Sequence, residues 1–178
     1  MRLIDEYLPE FHVSSYHQTV VSSPASRVFS SIWDLDLSES VIVRLLFAIR
    51  GMPRRALTLK GLVQDGFLVL DERPDEELLF GGAGRFWTRH GDFQALNAGD
   101  FKGFRQKGHV KLAVDFRVKP VNRNQTILST ETRVQCFERY SRWRFNLYWF
   151  VIRPFSGLVR KEMLRLVKAA SKAKTIDR

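Results

Sequence analysis

The chain has 178 residues, 44% of them hydrophobic and 27% charged, with a formal net charge of +10. This balance excludes disorder as the main state and fits one globular domain, residues 1–178, because a chain of this size hides roughly 70% of its unfolded surface. The single cysteine, Cys136, excludes an internal disulfide and a cysteine-based zinc cluster.

In chain order, Asp5, Glu6 and Glu10 interrupt any signal-like apolar start, so a cytoplasmic location is expected. Residues 12–21 read as a strand ending at Ser22-Ser23-Pro24, where Ser23 is placed to cap a helix and Pro24 suits its first turn. Val28, Phe29, Ile32 and Trp33 give that helix one apolar side. A second short helix is expected from Ser38, with Val41, Ile42, Leu45, Leu46 and Ile49 as its stripe and Gly51 and Pro53 as its stop. Residues 56–64 add a further turn or two, closed by Asp65-Gly66.

From Phe67 the period changes. Residues 67–72 and 77–87 read as strands joined by the turn Arg73-Pro74-Asp75. Gly81, Gly82 and Gly84, beside Phe80 and Phe86, either bend the sheet or leave room in an interior. They lack the Lys-Ser/Thr ending and following helix of a phosphate loop. Residues 88–108 are too long for a plain connector. A short strand is expected at 93–96, then a helical turn capped by Asn97 and carrying Phe101 and Phe104, which either border a binding site or plug the end of the sheet. His90, Asp92 and Asp100 are the one grouping suited to acid–base work; they read better as solvated loop residues, and no catalytic residue is assigned.

Residues 109–119 alternate, with Val110, Leu112, Val114, Phe116 and Val118 on one side, and residues 126–137 alternate again, with Leu128, Thr130, Thr132, Val134 and Cys136 aligned. A one-sided antiparallel sheet follows, one face buried and the other wet. Inward hydroxyls at Thr130 and Thr132 need partners, from neighbouring backbone, water or a ligand. His12 and His17 point to opposite faces of their strand, so no metal site is expected, and no cofactor. Cys136 reads as a small buried hydrophobe.

The last element is a long helix, about residues 140–172, expected to kink or split at Pro154. Before Pro154, Trp143, Leu147, Phe150 and Val151 form a face, while Phe145, Tyr148, Trp149 and Ile152 make the segment apolar nearly all round. Its longest apolar run, Leu147 to Ile152, is far below the roughly 20 residues that span a membrane. After Pro154, Val159, Met163, Leu166, Val167 and Ala170 line one side, and Lys161, Arg165, Lys168 and Lys172 another. Residues 139–178 hold eleven Lys/Arg against Glu162 and Asp177, so nearly all the net charge lies there. Such a run is ordinarily a solvated face, and otherwise an anionic-membrane surface; nucleic acid is not favoured.

The order of elements, with Val20-Val21-Ser22-Ser23-Pro24 leading to Val28-Phe29, resembles the helix-grip fold of the START-like (SRPBCC) superfamily over about residues 11–172. Leu128-Ser129-Thr130-Glu131-Thr132-Arg133-Val134 and Arg153-Pro154-Phe155-Ser156-Gly157 are similar to bacterial members without an assigned activity. The resemblance implies an α+β fold: a curved antiparallel β-sheet wrapping a long C-terminal helix, with two short helices after the first strand. Relatives of this kind include lipid transporters and polyketide cyclases or dehydrases, which implies a cavity for a hydrophobic small molecule. The sheet wall of that pocket is expected to be Phe80, Phe86, Leu112, Val114, Phe116, Thr130, Thr132 and Val134, and the helix wall Trp143, Leu147, Tyr148, Phe150 and Val151. Arg85, Trp87, Arg89, Phe101 and Phe104 are expected at its mouth. Binding without catalysis is the first expectation. A cyclase-like or hydrolase-like enzyme using the same pocket, or attachment of the basic helix to an anionic membrane, are the alternatives, in a monomer or a homodimer.

Overall fold

The computed structural model describes residues 1–88 and 91–173. A short helix, α1 (Leu3–Tyr7), leads into β1 (Val13–Val21), α2 (Ala25–Trp33), α3 (Val41–Arg50) and α4 (Leu59–Gln64). Strands β2 (Leu68–Arg73) and β3 (Glu77–Gly84), helix α5 (Ala98–Gly103), strands β4 (Val110–Asn122) and β5 (Gln125–Cys136), and the 35-residue helix α6 (Arg139–Ala173) follow. The five strands form one antiparallel sheet in the order β1-β5-β4-β3-β2. Its inner face wraps α6, which is the α+β helix-grip architecture.

The strands form where side chains alternate. Val114 pairs with Phe80 and Thr132, and Phe116 with Leu78 and Thr130, so one row of the sheet is continuous across three strands. That row packs on Val28, Phe29 and Ile32 of α2 and on Met163, Leu166 and Val167 of α6. Helix α6 runs unbroken through Pro154 and is not split there. Capping differs from expectation at two places. Ser23 does not cap α2; its hydroxyl is buried and donates to the carbonyl of Ser171, tying the start of α2 to the end of α6. Ser38 lies in a 3-10 turn, and the cap of α3 is Ser40, whose Oγ accepts from the Val43 N–H at 3.3 Å.

The outer face of the sheet is wet only in part: Ser14, Tyr16 and Gln18 of β1 and Arg117 and Lys119 of β4 are exposed, while its middle is covered. Helix α1 was not expected from the sequence, yet Leu3, Ile4, Tyr7 and Leu8 recur at helical spacing and are buried against Leu70, Leu79, Ala113 and Phe101. Asp115, Glu131 and Arg133 are therefore enclosed, and they pair with Arg2, Asp5 and one another. Arg2 bridges Asp115 (2.8 Å) and Glu131 (2.5 Å), and Arg133 bridges Glu131 and Asp5, each at 2.7 Å. Lys111 is buried and donates to the carbonyls of Phe101 and Lys102, with desolvation pulling its pKa down to about 8.

Two other expectations fail locally. Residues 93–96 form no strand, although Asn97 does cap α5, accepting from the Asp100 N–H. Most of the stripe on α3 does not face the core: Val41, Ile42, Leu45 and Ile49 are exposed, Leu46 is half-buried, and among the described side chains of this helix only Val43 is fully enclosed.

Candidate functional site

Between the sheet, α6 and the segment joining α3 to β2 lies a hollow of two adjoining compartments, of about 400 and 490 Å³. They share Met52, Phe67, Leu112, Tyr148, Ser156 and Arg160 as walls. The first extends past Phe86, Phe93 and Thr132; the second extends past Phe80, Val114 and Met163 and opens between Ile49 of α3 and Val151 and Phe155 of α6. Phe67 organises the wall, with ring centroids 6.2 Å from Phe80, 6.3 Å from Phe86 and 5.3 Å from Phe93.

The room left by the β3 glycines is not part of this hollow. A Cβ on Gly82 would stand 3.1 Å from the carbonyl oxygen of Gly66, and one on Gly84 would stand 2.5 Å from that of Gly91. Backbone of the neighbouring loops occupies the space, as close approach to a glycine strand allows.

Of the expected pocket residues, Phe80, Phe86, Leu112, Val114, Thr132, Tyr148 and Val151 line the hollow. Phe116 and Val134 are buried in the core beside it, Phe116 stacked on Phe80 and Val134 clustered with Phe86 and Phe145. Trp143, Leu147 and Phe150 point to solvent, at 61%, 57% and 82% exposure, because α6 turns its other apolar side, Phe145, Tyr148, Trp149 and Ile152, to the sheet.

Among the described residues the expected mouth is not assembled. Arg85 is exposed and held by Asp92 at 2.5 Å, Trp87 packs on the Phe86 cluster, Phe101 is buried on the outer face, and Phe104 packs edge-on to His109 and Phe137. Arg89 and His90 lie outside the described residues. Asp92, bound by Arg85 and near His109, and Asp100, exposed on α5, do not meet as an acid–base group.

Polar groups do face the helix side of the sheet. Thr130 and Thr132 are buried, and their Oγ1 atoms have no hydrogen-bond partner among the described residues. His17 stands opposite Thr130 in the β1–β5 ladder, with a buried Nδ1 that is likewise unpartnered. Burial, reinforced by Arg160 and Lys161, lowers its pKa, so the ring is neutral at pH 7. Arg160, which composition and pattern did not single out, lines both compartments. The readable signal was its place on the apolar side of α6, in the Ser156, Arg160, Met163, Val167 row. Cys136 is buried and free, and burial pushes its thiol up to about 11, where it is no nucleophile.

Among the described residues, no helix is long and apolar enough to cross a membrane. No family model matches the chain, and no curated protein matches it in sequence. Solved structures do match. A conserved protein from Geobacillus kaustophilus is 9% identical with a TM-score of 0.48, the match covering 90% of this chain and 96% of that one. A norcoclaurine synthase mutant from Thalictrum, complexed with a transition-state analogue, is 8% identical with a TM-score of 0.44 (92% and 96% covered). The Zhui aromatase/cyclase from Streptomyces sp. R1128 is 10% identical with a TM-score of 0.37 (93% and 96% covered). At such identities a shared fold transfers no residue role and no activity to this chain.

Proposed function

We propose that the chain binds a hydrophobic small molecule, lipid-like or polyketide-like, in the hollow between the sheet and α6. The observation that carries this reading is the hollow itself: two connected compartments with walls of Phe, Leu, Met and Val and only a few polar groups, the usual composition of a small-molecule site. Binding is favoured over cyclase-like or hydrolase-like chemistry because Asp92 and Asp100 are engaged or exposed elsewhere. Titration with the neutral fluorophore N-phenyl-1-naphthylamine is expected to saturate at one probe per chain. Native mass spectrometry should show the same single adduct. Absence of saturable uptake in both would overturn the reading.

A second reading has its own observation. The first half of α6 exposes Tyr140, Trp143, Leu147 and Phe150 along one stripe opposite its buried face, with the exposed Val151 and Phe155 between that stripe and the opening of the hollow. Every charged residue from Arg139 to Lys161 is basic, and Arg139, Arg142, Arg144 and Arg153 are exposed beside the stripe. An aromatic stripe flanked by arginines suits an anionic bilayer surface, where rings enter the headgroup layer and cations meet phosphates. This places the contact N-terminal to the expected Lys161, Arg165, Lys168 and Lys172, of which Arg165 is paired with Glu162 at 2.9 Å. In co-sedimentation at low salt, the chain should associate with phosphatidylglycerol-containing vesicles and not with pure phosphatidylcholine. The triple variant W143S/F150S/V151S should lose at least tenfold in partitioning. Equal binding of wild type and variant, or a concentration-dependent dimer that ignores both vesicle types, would sink the idea.

A further inference from the structure

We infer that the molecule held in the hollow is an amphiphile with a single negative charge, a long-chain carboxylic acid in chemical class, and that its head is received by Arg160 and Thr132. This rests on the cavity reading above and names the ligand class for it.

Arg160 is the starting point. A guanidinium carries five donors in a planar fork and stays charged, so inside a protein it is ordinarily paired. Here it borders both compartments, and the described residues offer it neither a hydrogen bond nor an ion pair. Arg160 is half-buried there, and desolvation pulls its pKa down to about 10. A half-buried guanidinium with no partner among the described residues, bordering an apolar hollow, is the group that an incoming anion would meet there.

A second, independent observation points to the same place. Thr132 lines the first compartment with Arg160, is only 2% exposed, and has an unpartnered Oγ1. Next to it on the same face, Thr130 and His17 carry buried polar atoms that are also unsatisfied. Buried hydroxyls normally find partners, and of these three atoms the Thr132 Oγ1 is the one on the wall of the hollow, where a bound group would complete its bonding. A carboxylate fits the set: acceptor-only, bidentate toward a guanidinium, with lone pairs to spare for a hydroxyl.

The charge count narrows the head further. Among the described residues the other cation on the wall, Arg55, is exposed and already paired with Asp65 at 2.5 Å, which leaves Arg160 as the described cation available to one negative charge. A phosphate monoester, close to doubly charged at pH 7, would leave an excess negative charge in a dry site. Most of the remaining wall, including Phe67, Phe80, Leu112, Val114 and Met163, is apolar, which suits a hydrocarbon tail.

The test uses cis-parinaric acid, a fluorescent long-chain acid, and its uncharged methyl ester. Wild type is expected to bind the acid at least tenfold more tightly than the ester at pH 7. R160M should bind both about equally, chiefly through loss of affinity for the acid, and should melt within a few degrees of wild type because the half-buried Arg160 makes no hydrogen bond or ion pair with the described residues to lose. T132V, isosteric and less drastic, should weaken the acid by about three- to tenfold, the scale of one hydrogen bond, and the ester by less, since its carbonyl accepts without charge assistance. Equal affinity of wild type for acid and ester, or an acid preference that survives in R160M, would overturn the headgroup assignment while leaving the cavity reading intact. Failure of wild type to bind either probe would overturn the cavity reading, and this inference with it.

Discussion

Closing the hollow from both sides, in the double variant L112W/S156F, should abolish saturable uptake of N-phenyl-1-naphthylamine, a loss of at least tenfold in affinity, while the melting temperature shifts by only a few degrees. Leu112 reaches both compartments from β4 and Ser156 reaches both from α6, so two added rings project into the shared space between them. In a packed core an enlargement of this kind ordinarily costs about 1–3 kcal/mol through strain. Leu112 is only partly enclosed, however, and the adjoining compartments of about 400 and 490 Å³ leave room for the new rings. A variant that folds and still binds at wild-type strength would show that the probe sits elsewhere, as in the groove of about 560 Å³ along the outer side of α3.

The largest effect on stability is expected on the other face of the sheet. R2M should lower the free energy of unfolding in urea at pH 7 by about 3 kcal/mol, the low end of the cost of orphaning one partner of a buried pair, because Arg2 itself is partly exposed. The substitution leaves Asp115, 1% exposed, and Glu131 without their shared cation. The pH dependence has a definite sign. Burial raises the folded-state pKa of Asp115 above its ordinary 3.8, and Arg2 opposes that rise. The cost of ionising this carboxylate in the folded state is absent below about 3.8, grows as pH rises toward the folded value, and is full above it. Without Arg2 the folded value climbs further, so the deficit of R2M relative to wild type should shrink steadily on acidification. A deficit under about 1 kcal/mol at pH 7, or one that does not change with pH, would mean that water already shields this network.

Much of the fold was legible along the chain because it is local. The two-residue alternation in Val110, Leu112, Val114, Phe116 and Val118 admits only a strand, and the Arg73-Pro74-Asp75 turn permits only a tight reversal, with Asp75 at φ +62°. Alternation could not say what covers the second face. Asp115, Glu131 and Arg133 read as a wet row, and they are buried because α1 and α5 fold across them and the charges satisfy one another.

Position along the chain likewise settled that residues 139–173 are helical and that aromatic residues crowd their first half. It could not settle which of two apolar sides the sheet would grip. Trp143, Leu147 and Phe150 are as apolar as Phe145, Trp149 and Ile152, and periodicity reports the angle between faces, not the direction of the neighbour. The same degeneracy hid the outward stripe of α3. Arg160 shows the limit most plainly. In the sequence it is one more cation in a basic helix; only the packing of α6 against β1 and β5 brings it to the wall that it shares with Thr132, since contacts between residues far apart in the chain are made by tertiary folding alone.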